Sequence, residues 1–160
     1  MRATLRSNSG TSDLSIELIS ASEYAHDRGF DVSVQLRGSH WDGEHEHPFL
    51  TSVEGIWLRL ADLAALREHM VQWLNGPLEC LIAEHLDAEF ELACMCEQKL
   101  GVRFGSRQDT ISHFNPVVSI TLCAGATRNE FHFVSDQSCL GIFAQELFAM
   151  IQTGVADPNA

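Results

Sequence analysis

The chain opens with period-two alternation. Leu14, Ile16 and Leu18 alternate with Ser15 and Glu17 over residues 14–20. Phe30, Val32, Val34 and Leu36 alternate with Asp31, Ser33, Gln35 and Arg37 over residues 30–37. Such a pattern predicts strands with one face buried and the other wet. The segment between them, ASEYAHDRG, ends in Gly29 and reads as a loop. Residues 39–48, SHWDGEHEHP, are the most polar stretch; Asp42-Gly43 marks a turn, so an exposed hairpin loop is expected here. A third strand follows over 52–60, with Ile56, Leu58 and Leu60 facing inward.

The period then changes. Leu63, Leu66, Met70, Trp73 and Leu74 fall on one helical stripe, predicting a helix over 61–74, and Asn75-Gly76-Pro77 stops it. Residues 78–86 read equally as a strand or an irregular connection. Phe90, Leu92, Cys94 and Cys96 alternate with Glu89, Glu91 and Glu97, so 89–97 is expected to be a strand. Leu100, Val102 and Phe104 make another, and the loop SRQDTISHFNP follows. Val118, Ile120 and Leu122 pair naturally with Phe131 and Phe133 across an Ala-Gly-Ala turn. Ser135 and Asp136 both suit the cap of a last helix whose buried face is Leu140, Phe143, Ala144, Leu147, Met150 and Ile151, with Gly154 ending it.

Strands joined by short turns are antiparallel. The expected architecture is α+β: a mostly antiparallel curved sheet of about seven or eight strands, with two helices packed on one face. Residues 1–12 read as a flexible lead-in, 13–154 as a single α+β domain and 155–160 as a flexible tail. No internal repeat is legible.

Length and composition narrow the class. The chain has 160 residues, 45% of them apolar, enough for one core. No apolar run approaches the ~20 residues that cross a bilayer, and the N-terminus lacks the apolar stretch of a secretory signal. Five irregularly spaced cysteines among apolar neighbours suit a reduced, cytoplasmic setting. The net charge is −12, from 22 acidic and 10 basic side chains. That charge repels a phosphate backbone, so nucleic acid is not the expected partner, and it favours encounter with a basic protein. It equally serves solubility.

Side chains of the kinds that carry chemistry do not converge. His40, Asp42, Glu44, His45, Glu46 and His47 are the densest set of metal-ligand types, but no H-x-x-x-H or H-E-x-x-H spacing occurs, and solvated loop histidines explain them. Cys94 and Cys96 share one face of a strand, as core residues do. Cys139 stands at a helix start, where a thiol pKa can fall, but nothing orients His132 toward it as a base. Glu89/Glu91 and Glu44/Glu46 lack the apolar surroundings that tune a carboxyl for acid catalysis. No catalytic residue, metal or cofactor is expected. Ile142 projects away from its helix stripe, and Trp57 alternates away from Ile56 and Leu58. Either is a candidate contact or a solitary surface residue.

Two junctions resemble a known family. GIWLRLADLAALREHM (55–70) runs a strand into a helix through W-L-x-L-x-D-L, and FHFVSDQSCLGIFAQEL (131–147) does so through F-x-x-D-Q-S-x-L-x-x-F. This pairing, with an acidic multi-strand stretch between, resembles the WapI-type immunity proteins of bacterial polymorphic toxin systems. The resemblance implies a non-catalytic cytoplasmic protein that neutralises a cognate toxin domain. From exposure and charge, the expected partner-binding residues are Trp41, Asp42, Glu44, Glu46, Glu54, Trp57, Glu89 and Glu91. Two alternatives stay open: a structural protein acting as a homo-oligomer, dimeric for example, and a metal- or thiol-dependent enzyme.

Overall fold

The computed structural model describes residues 1–24, 26–75, 88–93, 99–105, 117–124 and 127–156. Four strands come first: β1 (Arg2–Arg6), β2 (Asp13–Tyr24), β3 (Asp27–Trp41) and β4 (Glu46–Arg59). Helix α1 (Leu60–Asn75) follows. Four more strands, β5 (Ala88–Ala93), β6 (Lys99–Gly105), β7 (Val117–Ala124) and β8 (Thr127–Val134), lead to helix α2 (Gln137–Ala156). Among the described residues the order is thus four strands and a helix, twice.

The α+β class holds, but the single curved sheet does not. Each set of four strands forms its own antiparallel meander, β1-β2-β3-β4 and β5-β6-β7-β8. The physical reason is the α1 connection. A tight turn would have paired the strand after β4 directly with it, whereas a helix carries the chain away and a new sheet starts. The two helices pack on each other; α1 also touches β3, β4 and β5, and α2 lies along β1. The backbones of the two sheets come together at both ends of the second one. β4 runs close to β5, and the Asn8 N–H donates to the Val134 carbonyl at 2.9 Å, joining the end of β8 to the chain just after β1.

The N-terminal lead-in is also corrected. Residues 2–6 are strand β1, with Ala3 and Leu5 fully buried. Ala3 and Leu5 bury their apolar side chains at alternate positions, and the ladder of Arg2–Arg6 with residues 13–17 of β2 satisfies the backbone of the same segment, so burial and pairing together hold it in the sheet. Residues 7–12 form the following turn, where Ser7 N–H donates to the Ser12 carbonyl (2.8 Å) and Gly10 takes the left-handed φ of 73°. At the other end, residues 155–156 belong to α2 and not to a tail.

One core unites both sheets and both helices. Leu14, Ile16, Phe30, Val32, Val34 and Leu36 enter it from the first sheet; Leu100, Val102, Val118, Ile120 and Leu122 enter from the second. Leu63, Leu66 and Met70 of α1 and the whole predicted stripe of α2 complete it. These are the inward positions of the alternation and the helical stripes.

The strands of the first sheet run longer than the alternation suggests, because bulges hide the continuation. Ile19 stands out of register between Leu18 and Ser20 and is exposed. A second register shift, between Val32 and Val34 of β3, falls opposite Glu54 and Gly55 of β4; Gly55 has φ 72°. The extra residue reverses the parity of β4, so that Val53 and Ile56 both face the core. Much of the expected loop at 21–29 is therefore hairpin strand.

An edge strand exposes unpaired backbone groups. Here α2 answers for one: the Thr4 N–H of edge strand β1 donates to the Glu146 carboxylate at 2.7 Å. Glu146→Ala is expected to cost about 1–3 kcal/mol, the penalty of leaving a part-buried donor unmade. Glu146→Gln keeps an acceptor and is expected to lose less. Urea denaturation of both variants checks this; equal losses would show that the hydrogen bond contributes nothing.

Candidate functional site

β2 pairs with β3 only as far as Asp13↔Arg37. Beyond that point β3 and β4 continue alone, pairing from Gly38↔Phe49 to Trp41↔Glu46. The exposed hairpin expected at 39–48 is present with its turn at Asp42-Gly43, but its loop is only residues 42–45, and the flanking residues are strand, so the segment is a two-stranded arm.

The tip is held by one side chain. The Asp42 carboxylate accepts the N–H groups of Glu44 (2.9 Å) and His45 (2.8 Å), and the His47 ring nitrogen lies 2.7 Å from its other oxygen. Gly43 supplies the positive φ the turn needs, 102°. The His45 N–H, then that of Glu44, then the His47 ring keep the Asp42 pKa below the ordinary carboxylate value. Asp42 is thus ionised at neutral pH and committed to the turn. Glu44 and Glu46 are exposed beside it.

The histidines gather on the same arm. His40 and His47 oppose each other across the strands with ring centroids 5.5 Å apart, and His45 sits 6.4 Å from His47. Among the described residues, no group of three His, Cys, Asp or Glu side chains is arranged to hold a metal ion.

The other expected contacts lie elsewhere. Glu54 occupies the β4 bulge, about 26 Å along the strand from Glu46 at the usual rise per residue. Trp57 is on the outer face as its alternation predicts, but it is half-buried and not a free anchor. Its ring lies over Gly29, where a Cβ would stand 2.5 Å from it, and its indole N–H donates to Ser22 at 3.1 Å. Glu89 and Glu91 are on β5 of the second sheet, opposite Arg103 and Gly101. Trp41 ends β3 at the arm's tip. The structure thus groups Trp41, Asp42, Glu44 and Glu46 on one arm and separates Glu54, Trp57, Glu89 and Glu91 from it.

At Cys139 the surroundings act against what a helix start alone does to a thiol. Asp136 caps α2, accepting the Cys139 N–H at 2.8 Å, while the neighbouring Ser135 hydroxyl donates to the Arg6 carbonyl. Burial first, and then the Asp136 carboxylate, push the Cys139 pKa up. Both disfavour a thiolate more than the helix start favours it. His132 hydrogen-bonds Ser119 at 2.8 Å on the outer face of the second sheet. Cys94, Cys96 and Cys80 lie outside the described residues, as do the ambiguous segment 78–86, the end of the expected strand at 94–97 and the loop at 106–116.

Sequence reasoning missed the root of the arm. Where β2 gives out, a cleft of about 370 Å³ opens between the arm and β8. Phe49 of β4 and Phe131 of β8 stack on each other in its wall with centroids 4.8 Å apart, and Leu36 and Phe133 line it further. Arg37 stands at its rim, its guanidinium held by the buried Asp13 carboxylate through an Nε bond of 2.7 Å. Glu130 lies on the β8 side. A local signal existed in Gly38: a Cβ there would stand 2.6 Å from the Phe49 ring, so only glycine admits that ring against the strand.

Among the described residues, no helix is long and apolar enough to cross a membrane. No protein-family model and no curated protein matches this chain.

Proposed function

We propose that the chain is a non-catalytic acidic docking protein of the immunity type, and that it engages a basic toxin domain through the β3–β4 arm. The observation that carries this reading is the arm's tip. Its backbone is preorganised by Asp42, and it presents Glu44 and Glu46 to solvent on a chain of net charge −12. Preorganisation lowers the ordering cost of binding, and the acidic field accelerates encounter with a cationic surface. The resemblance of residues 55–70 and 131–147 to WapI-type immunity proteins points to the same class of partner. The Cys139 thiol, with its raised pKa, lends no support to the enzyme alternative.

This reading expects a basic toxin domain to be encoded beside this gene, and the test uses that domain. Glu44→Lys/Glu46→Lys leaves the Asp42 turn intact and reverses the exposed charge. The variant is expected to slow association with that domain by about tenfold or more at low salt, with a weaker salt dependence than the parent. Stopped-flow association rates at several ionic strengths read this out. An unchanged rate, or failure of the parent to bind the neighbouring domain, would overturn the proposal.

A further inference from the structure

The cleft at the root of the arm is built differently from the tip. The tip is charged and solvated, whereas the cleft offers aromatic surface with two carboxylates beside it, Asp13 and Glu130. Phe49, Phe131 and Phe133 are each only half-buried, so their rings are partly open to the cleft. Its volume, about 370 Å³, is near the lower end for ligand pockets and suits a single long side chain better than a large cofactor.

Its electrostatics select the kind of side chain. Arg37 is the rim's fixed cation, but the Asp13 carboxylate pairs with it and cancels its charge. His40 and His132 also line the cleft. Glu130 is left as the net charge, its side chain 51% exposed and its nearest cation, Arg128, 3.9 Å away at the limit of an ion pair. The acidic arm lies immediately above, and the whole chain is strongly negative. An anion is therefore repelled from this cleft. A flat cation is favoured, because it can lie on an aromatic face and reach a carboxylate with its edge.

We propose that the cleft receives an arginine side chain of the basic partner, its guanidinium stacked on the Phe49–Phe131 pair and bonded to Glu130. The inference rests on the docking reading and deepens it, with the arm's carboxylates steering the partner in and the cleft holding one of its arginines. Guanidinium is favoured over ammonium because its planar, weakly hydrated face stacks on the rings, whereas a lysine ammonium is compact and strongly hydrated.

The experiment uses the free protein and needs no partner, so its failure leaves the docking test standing and the failure of that test leaves this one readable. N-acetylarginine amide is titrated into the full chain and followed by amide NMR. N-acetylcitrulline amide, which has the same length without the charge, and N-acetyllysine amide serve as controls. Shifts are expected at Gly38, Phe49 and residues 130–133. Arginine should bind about threefold to tenfold more tightly than either control. Glu130→Gln and Phe131→Leu should each weaken the arginine probe by a similar factor, with the rest of the spectrum showing that both variants are folded. The proposal is overturned by equal affinity for all three probes, by shifts confined to residues 42–46, by no shifts at all, or by binding that neither variant weakens.

Discussion

Phe143→Ala is expected to remove about 3–5 kcal/mol of stability, the range for deleting a fully buried aromatic ring. Phe143 has no exposed surface and lies on the buried stripe of α2. That helix touches α1 and β1, and its stripe belongs to the one cluster that joins both sheets. The ring therefore does more than fill one layer. Its loss leaves a cavity where the second half of the chain meets the first, and two long-stranded layers cannot collapse independently into it. Since a domain of this size is stable by roughly 5–15 kcal/mol, the variant should keep only a marginal margin. Denaturant unfolding monitored by circular dichroism measures the loss. A cost below about 1 kcal/mol would mean that the helix is not anchored through this ring.

Gly154→Ala is expected to destabilise by about 1–3 kcal/mol, although alanine is the better helix former by roughly 1 kcal/mol. The sequence suggests that Gly154 ends the last helix, but α2 runs through it to Ala156. The reason for glycine is contact. A Cβ at this position would stand 2.2 Å from two atoms of the Phe30 ring. Phe30 is only 1% exposed, so its ring has no solvent to move into. Overpacking therefore outweighs propensity. Phe30→Leu removes the ring atoms nearest the new methyl group, so the double variant should be less destabilised than the sum of the two singles. A double-mutant cycle by thermal or urea unfolding decides this. A Gly154→Ala variant more stable than the parent, or strict additivity with Phe30→Leu, would dismiss the contact.

These two residues show where a one-dimensional reading succeeds and where it stops. Phe143 was visible as core because Leu140, Phe143, Ala144, Leu147, Met150 and Ile151 repeat at helical spacing, and all six are buried. Gly154 looked like punctuation because glycine has the same local signature whether it ends a helix or admits a ring from another element. Trp57 carries the same ambiguity. Alternation placed it correctly on the outer face, but only the register with β3 brings it over Gly29. The strands of the arm are not legible beyond a hairpin loop, because its polar residues carry no burial pattern. Two strands that project beyond the sheet need none, since they have no core to face.

Local spacing determined the class of most described elements, the inward face of β2, β3, β6, β7 and the two described helices, the Asp136 cap and the acidic character of the surface. These depend on neighbours within a turn or a pleat, which the order of residues contains. Tertiary structure alone decided that the strands divide into two meanders, that β1 joins the first of them, and that α2 guards its edge through Glu146. It also decided that Phe49 and Phe131 face each other at the root of an acidic arm. Those pairings join residues up to 142 positions apart. They are selected by the packing of complete surfaces against one another, and no local period records that choice.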